Sequence, residues 1–282
     1  MELSKEAFGI EEDNKFPIGI FDSGLGGLTV LKEMKRIMPN ENYVYFGDTA
    51  RVPYGAKSGE EIENCTRQDI NFLNTFSPKI LVAACGTISS YLNSKNFDSS
   101  CEIIGVVKPT CSAAVAATKN GRVGIMCTEA TLKSASYEKC LLGINPGLII
   151  YSQKCPKLVE IIESGIISEK DDTLCRAVEE YLNFLIINNV DTIILGCTHY
   201  PIIKKAIRKI AGNPVKLIDS GVETAKFVKK YILNKKLNKT TSEKCYTKFY
   251  VSGDINKFSD TAKIFLNEKL DNNVFNVNID EC

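Results

Sequence analysis

Short apolar runs rich in β-branched and aromatic residues punctuate the chain at 17–21, 42–46, 79–84, 102–106, 122–126, 148–151, 191–195, 215–218 and 247–251. Runs of this length and composition, bounded by polar and turn-forming residues, predict strands. Between them the apolar positions change period. Leu174, Ala177, Val178, Tyr181, Leu182, Leu185 and Ile186 fall at offsets 0, 3, 4, 7, 8, 11 and 12, one face of a helix that Ser168 is expected to open. Ser58-Gly59-Glu60-Glu61 has the form of a capping box and is followed by apolar Ile62, Cys65, Leu73 and Phe76, predicting a second helix. Strands alternating with helices predict an α/β protein whose sheets are mostly parallel and covered by helices on both faces.

The pattern also repeats. Ile18-Gly19-Ile20-Phe21 resembles Val123-Gly124-Ile125-Met126, 105 positions later, and 80–85 resembles 192–197, 112 positions later. Two pairs in the same order at nearly the same offset predict two similar α/β domains facing each other across a cleft that holds the active site. The expected division is a disordered arm over 1–15, a first domain from 16–108 plus 221–282, and a second from 109–220.

Length and composition agree with this picture. A chain of 282 residues is of a size for two domains, and 44% apolar with 24% charged residues is globular composition. Lys plus Arg exceeds Asp plus Glu by one, so no electrostatic footprint for nucleic acid or a membrane surface is expected. The N-terminus mixes Glu, Asp and Lys without an apolar core, and the longest clean apolar stretch, 80–85, is too short to span a bilayer. A cytoplasmic location follows as the expectation. The unusual feature is eleven cysteines with one histidine and no tryptophan. A single histidine excludes three-histidine zinc sites and H-E-x-x-H proteases. An odd number of scattered cysteines in a chain this large points to free thiols rather than a disulfide framework.

Ligands of open α/β sheets bind beyond the carboxyl ends of the strands. The residues placed there are Asp22-Ser23-Gly24, Cys85-Gly86-Thr87, Cys197-Thr198-His199 and Asp219-Ser220-Gly221. Cys85 and Cys197 end equivalent strands, one in each half, and each leads toward a helix N-terminus, an environment expected to lower a thiol pKa. Two thiols facing one ligand from opposite sides suit removal of a proton from a carbon and its return on the other face. Asp22 and His199 stand beside them to hold or relay protons, and the hydroxyls of Ser23, Thr87 and Thr198 suit a carboxylate. Each residue also has a plainer role open to it. A cysteine ending a buried strand often only packs, and Asp219 suits a helix N-cap. Cys197-x-His199 is half of a metal site, but no second ligand pair at zinc spacing accompanies it, so no metal is expected. Gly24-Leu25-Gly26-Gly27 has Thr29 in place of the third glycine of a dinucleotide loop, and no Walker lysine is present. A thiol redox protein is a further reading of the cysteine count, but no C-x-x-C occurs.

Four segments carry a resemblance. Residues 19–27, 45–55, 84–87 and 195–201 (Gly-Ile-Phe-Asp-Ser-Gly-Leu-Gly-Gly, Tyr-Phe-Gly-Asp-Thr-Ala-Arg-Val-Pro-Tyr-Gly, Ala-Cys-Gly-Thr and Leu-Gly-Cys-Thr-His-Tyr-Pro) resemble the glutamate racemases of the cofactor-independent aspartate/glutamate racemase superfamily. The resemblance implies interconversion of L- and D-glutamate, supplying D-glutamate for peptidoglycan, with no cofactor and no metal. It implies that Cys85 and Cys197 are the acid/base pair, assisted by Asp22 and His199. It also implies that Asp22, Ser23, Tyr54, Gly55, Gly86, Thr87, Thr198 and His199 bind glutamate, that Glu163 is an acidic group near the site, and that Thr131 lines the pocket. A homodimer is admitted as an assembly. One departure stands out: the family's usual Cys-Asn-Thr is here Cys85-Gly86-Thr87, which removes one side-chain contact to the ligand. Cys127 stands where a small residue is common and is a third thiol expected near the cleft. The departure at Gly86 keeps open a racemase for another small acidic amino acid such as aspartate, or a catalytically silent ligand-binding protein on the same fold.

Overall fold

The computed structural model describes residues 15–92, 97–268, 270 and 273–279. The arm expected over 1–15 lies outside the described residues apart from Lys15, whose carbonyl accepts from the Asn42 side-chain amide at 2.7 Å.

Ten strands occur among the described residues: β1 (Ile18–Asp22), β2 (Tyr43–Gly47), β3 (Ile80–Ala83), β4 (Ile103–Gly105), β5 (Arg122–Cys127), β6 (Ile149–Lys154), β7 (Thr192–Leu195), β8 (Lys216–Asp219), β9 (Thr247–Val251) and β10 (Val274–Asn276). They form two sheets, ordered β10-β9-β2-β1-β3-β4 and β6-β5-β7-β8. Every pairing is parallel. The α-helices are α1 (Leu28–Ile37), α2 (Gly59–Asn74), α3 (Gly86–Leu92), α4 (Val107–Ala117), α5 (Glu129–Ser134), α6 (Ser136–Ile144), α7 (Pro156–Glu163), α8 (Asp172–Ile187), α9 (Lys204–Ala211), α10 (Ser220–Asn234) and α11 (Ile255–Leu266). No helix among the described residues is long and apolar enough to cross a membrane.

The internal repeat has a structural counterpart. The order β2-β1-β3-β4 of the larger sheet recurs as β6-β5-β7-β8 in the smaller one. Gly19 of β1 lies between Val44 and Leu81, and Gly124 of β5 lies between Tyr151 and Ile193. The two similar motifs are therefore the central strands of the two sheets, and β3 and β7, which precede the two cysteines, are their matching neighbours.

Parallel strands covered on both faces must be apolar at every position. Along β1, β2 and β3 the residues Ile18, Ile20, Tyr43, Tyr45, Ile80 and Val82 join one apolar cluster, and the intervening Phe21, Val44, Phe46, Leu81 and Ala83 join another with α2. The first cluster continues through Leu28, Met34 and Val228 to Ile193 and Leu195 of β7, so one core runs from sheet to sheet.

Local signals explain several boundaries. The Ser58 hydroxyl accepts from Glu61 N and the Glu61 carboxylate accepts from Ser58 N at 2.9 Å, so α2 starts with the expected capping box. It stops at Asn74, leaving Phe76 beyond its end. Ser168 does not open α8. Asp171 does, its carboxylate accepting from Leu174 N at 3.0 Å, because an acidic N-cap satisfies a free N–H and complements the helix dipole. β10 escaped the sequence reading because it is three residues long, flanks the sheet and leaves Phe275 exposed.

Candidate active site

The carboxyl ends of β1 and β3 build the first half of the site. Ala84 N donates to Phe21 O at 2.9 Å, which holds Cys85 beside the residues that follow β1. Cys85 Sγ lies 3.4 Å from Ser23 Oγ. Asp22 Oδ2 accepts from Gly24 N at 2.8 Å, while Oδ1 is buried with no hydrogen-bond partner. Burial raises the Asp22 carboxyl pKa, opposed by the positive charge of His199 and by the N–H groups of Gly24 and Gly27. Burial, reinforced by the Asp22 charge, pushes the Cys85 thiol up to about 12, and hydrogen bonds from Ser23 and Ile88 N oppose this. The expectation that a helix N-terminus lowers this thiol is therefore corrected. The helix contributes through the Ile88 N–H, but removing the sulfur from water outweighs it.

The second half is built at the end of β7. His199 Nδ1 lies 3.7 Å from Cys197 Sγ, and His199 Nε2 lies 2.9 Å from Glu163 Oε1 at the last turn of α7. Burial disfavours the charged imidazole, but hydrogen bonds to Cys197 and Glu163 overcome it and raise the His199 pKa to about 10. At neutral pH the ring is therefore an imidazolium, with both nitrogens donating. Phe265 packs edge-on to the ring at 5.5 Å between centroids.

The two halves meet. Thr29 Oγ1 donates to Thr198 O at 2.8 Å, across the sheets. A Cβ on Gly26 would sit 2.2 Å from Thr198 Oγ1 and 2.6 Å from His199 Nδ1. The glycines after β1 thus serve close approach of the second half rather than a nucleotide. Gly86 plays the matching role: a Cβ there would lie 2.7 Å from Gly196 O. The Cys85 thiol senses the charge of Cys197, and the Asp22 carboxyl senses His199 and Glu163, so these five groups share one electrostatic site. Four of them are enclosed, Asp22 being 1%, Cys85 6%, Cys197 7% and His199 8% exposed, while Glu163 reaches solvent.

The remaining expected residues fall into four groups. Thr87, Thr131 and Thr198 are buried at this junction. Thr87 Oγ1 is 3.4 Å from Thr128 Oγ1, which donates to Thr131 Oγ1 at 3.0 Å, and Gly55 packs opposite Thr128. Tyr54 is buried, and its hydroxyl meets carboxylates. It donates to Asp48, and Asp69 lies 3.4 Å away, while Arg51 bridges both carboxylates at 2.6 and 3.3 Å. Cys127 is buried in the apolar cluster of the smaller sheet, and burial pushes its thiol up to about 12. Asp219 is the N-cap of α10, accepting from Gly221 N and Val222 N at 3.1 and 3.2 Å. Sequence reasoning missed Thr128, although it directly follows β5 and the strand-end rule applies to it equally. It also missed Thr29, which no local pattern marks. Among the described residues no group of three or more His, Cys, Asp or Glu side chains could hold a metal.

The chain and its fold are similar to known proteins. Residues 18–228 match the Asp/Glu/Hydantoin racemase family. The chain is 39% identical over 264 residues to glutamate racemase 2 of Caldanaerobacter subterraneus subsp. tengcongensis, covering 94% of this chain and 98% of that one. It is 41% identical over 254 residues to the glutamate racemase of Geobacter metallireducens, covering 90% and 93%. The fold is similar to the crystal structure of glutamate racemase from Francisella tularensis subsp. tularensis in complex with D-glutamate, with a TM-score of 0.85 at 34% identity over 95% of this chain and 100% of that one. Two sheets of matching strand order, two thiols at matching strand ends and these similarities lead to one conclusion: the chain belongs to the Asp/Glu/Hydantoin racemase family.

Proposed function

We propose that this protein interconverts L- and D-glutamate by proton transfer between two thiols and the α-carbon, supplying D-glutamate for peptidoglycan. The observation that carries the reading is the placement of Cys85 and Cys197 at equivalent strand ends of two opposed sheets, each with its own acid–base partners. In one direction the Cys197 sulfur takes the α-proton while the Cys85 S–H gives a proton to the opposite face, inverting the centre. In the other direction the roles exchange. His199 carries its proton between Cys197 and Glu163, and Asp22 and Ser23 stand on the Cys85 side. Ser23, Gly55, Gly86, Thr87, Thr131 and Thr198 hold the amino acid through hydroxyls and main-chain groups. Tyr54 supports this wall through its buried contact with Asp48 and Asp69. Because the thiols are buried, substrate entry requires the halves to separate, and we divide them at 108/109 and 220/221.

The test is incubation with L-glutamate in deuterated water without added cofactor. Loss of optical rotation with deuterium at the α-carbon of the D-product is expected. No exchange from either enantiomer refutes the reading, and exchange with L-aspartate alone reassigns the substrate. Cys85→Ala and Cys197→Ala should each abolish racemisation; near-normal turnover in either overturns the two-thiol assignment.

A further inference from the structure

The turn that follows β2, residues 48–56, touches both halves of the site. Asp48 N donates to Asp22 O at 3.0 Å, and a Cβ on Gly24 would lie 3.0 Å from Val52 Cγ1. Farther along, a Cβ on Gly55 would lie 3.5 Å from Thr128 Cβ of the second half. A cluster of polar side chains holds this turn. Asp48 Oδ2 accepts from Arg51 Nε at 2.6 Å and from the Tyr54 hydroxyl, and Oδ1 accepts from Ser252 Oγ at 2.6 Å. Ser252 Oγ in turn accepts from Ala50 N at 2.9 Å, and Gly253 N donates to Thr49 Oγ1 at 3.0 Å. The residues after β9 therefore clamp the turn. Arg51 also donates to Gln68 and to Asp69 on α2, the latter at 3.3 Å.

Two fully buried carboxyl groups thus share one guanidinium and one phenol. A phenol has one proton to give, and Tyr54 gives it to Asp48. Asp69 Oδ2 faces the same phenol oxygen at 3.4 Å, an oxygen–oxygen contact that needs a proton from the Asp69 side. We propose that Asp69 is a carboxylic acid donating to the Tyr54 oxygen, which leaves the Arg51 charge to Asp48 and makes Asp48 the residue that positions the substrate wall. Asp48 acts through the turn and not on the ligand. The wall is that of the glutamate site proposed above, on which this assignment rests.

Electrostatics point the same way. Burial raises the Asp69 pKa well above the ordinary carboxylate value, and the Asp48 and Asp22 charges add to it, against Arg51 and Tyr54. Two carboxyl groups enclosed together do not both ionise, and the one kept neutral becomes a hydrogen-bond donor. The two acids should therefore respond differently to the same substitution. Asp69→Asn reproduces the neutral acid, its amide N–H donating to Tyr54 and its carbonyl accepting from Arg51. Asp48→Asn takes the counter-charge from Arg51. In either orientation it also sets an NH2 against a donor, Ser252 on one side or Arg51 and Tyr54 on the other.

The experiment compares the full chain with Asp69→Asn, Asp48→Asn and Ser252→Ala. Each is assayed with both enantiomers of glutamate, unfolded in urea, and recorded by infrared spectroscopy at neutral pH. The difference between wild type and Asp69→Asn should contain the carbonyl band of a protonated carboxyl group. Asp69→Asn should leave the glutamate KM and the urea midpoint close to those of the wild type. Asp48→Asn should raise KM about tenfold or more for both enantiomers, the worth of a lost charge-assisted hydrogen bond, with a smaller change in kcat. Ser252→Ala leaves Asp48 with Arg51 and Tyr54 and should raise KM by a smaller factor. Absence of the carboxyl band, or equal rises of KM in Asp69→Asn and Asp48→Asn, overturns the proposal. So does a lower urea midpoint of Asp48→Asn at unchanged KM. If Asp48→Asn does not fold, an unchanged KM in Ser252→Ala overturns the positioning role. A wild type that racemises no glutamate refutes the glutamate reading and the wall role with it, whereas the carboxyl band still decides where the proton lies.

Discussion

His199 is the only histidine in the chain, so its protonation can be followed without ambiguity. Its pKa is raised to about 10 because Cys197 and Glu163 accept its two N–H groups, against the cost of burial. Replacing Glu163 with Gln keeps a hydrogen-bond acceptor 2.9 Å from Nε2 but removes the negative charge. Two unit charges about 4 Å apart interact by about 4 kcal/mol in a protein-like medium and about 1 kcal/mol in water. The Glu163 side chain is 41% exposed, so solvent screening takes the value toward the lower end, about 1–2 kcal/mol. At 1.36 kcal/mol per pH unit, the His199 titration should move down by about one unit. The sign is fixed: losing an anion weakens the imidazolium, so its proton leaves at lower pH. The imidazole carbon and proton signals, observed by NMR through a pH series, give both midpoints directly. A wild-type midpoint near the ordinary histidine value, or an unmoved midpoint in Glu163→Gln, refutes the ion pair as the source of the shift.

Two further substitutions test the packing around the site. Gly86→Ala places a methyl group 2.7 Å from Gly196 O, a main-chain atom that cannot swing aside. Overpacking of this kind costs about 1–3 kcal/mol, read as a lower urea midpoint at unchanged slope, and an unchanged midpoint would show that these strand ends do not touch. Tyr54→Phe removes the buried phenol from Asp48 and Asp69. Leaving buried acceptors short of a donor should cost about 1–3 kcal/mol of stability with the glutamate KM little changed. A large rise in KM at unchanged stability would place that hydroxyl on the ligand instead.

The strands were legible because buried parallel strands are apolar throughout, and the sites because small polar residues stand at their ends. Both thiols, Asp22, Ser23, Thr87, Thr198 and His199 follow from that rule. What stayed hidden depends on contacts between distant parts of the chain. The role of Gly26 is visible only when Thr198 and His199 lie against it, 172 and 173 residues later. The Tyr54 ring and Asp48 belong to a matching motif, yet the hydroxyl also meets Asp69, a position within α2 that no motif marks. The Cys85 thiol looked activated from its place before a helix, but burial, which sequence does not state, decides the sign of its shift.

The duplicated halves present equivalent sulfurs in unequal surroundings, with a carboxyl and a hydroxyl beside Cys85 and an imidazolium–carboxylate pair beside Cys197. That inequality has a thermodynamic boundary. L- and D-glutamate have equal free energy in water, so their equilibrium constant is one and kcat/KM must be equal in the two directions for any single-site racemase. Neither Asp22→Asn nor His199→Asn can change that ratio, however strongly each slows the reaction. The difference between the two sides must instead appear as matched changes in kcat and KM: a side that holds its proton more tightly alters both in the same proportion for the enantiomer it serves. Progress curves from pure L- and pure D-glutamate, fitted separately for each variant, should therefore give kcat values that diverge and kcat/KM values that do not. Diverging kcat/KM values would mean that the measured reaction is not a simple inversion at one carbon, and the two-thiol site would no longer account for it.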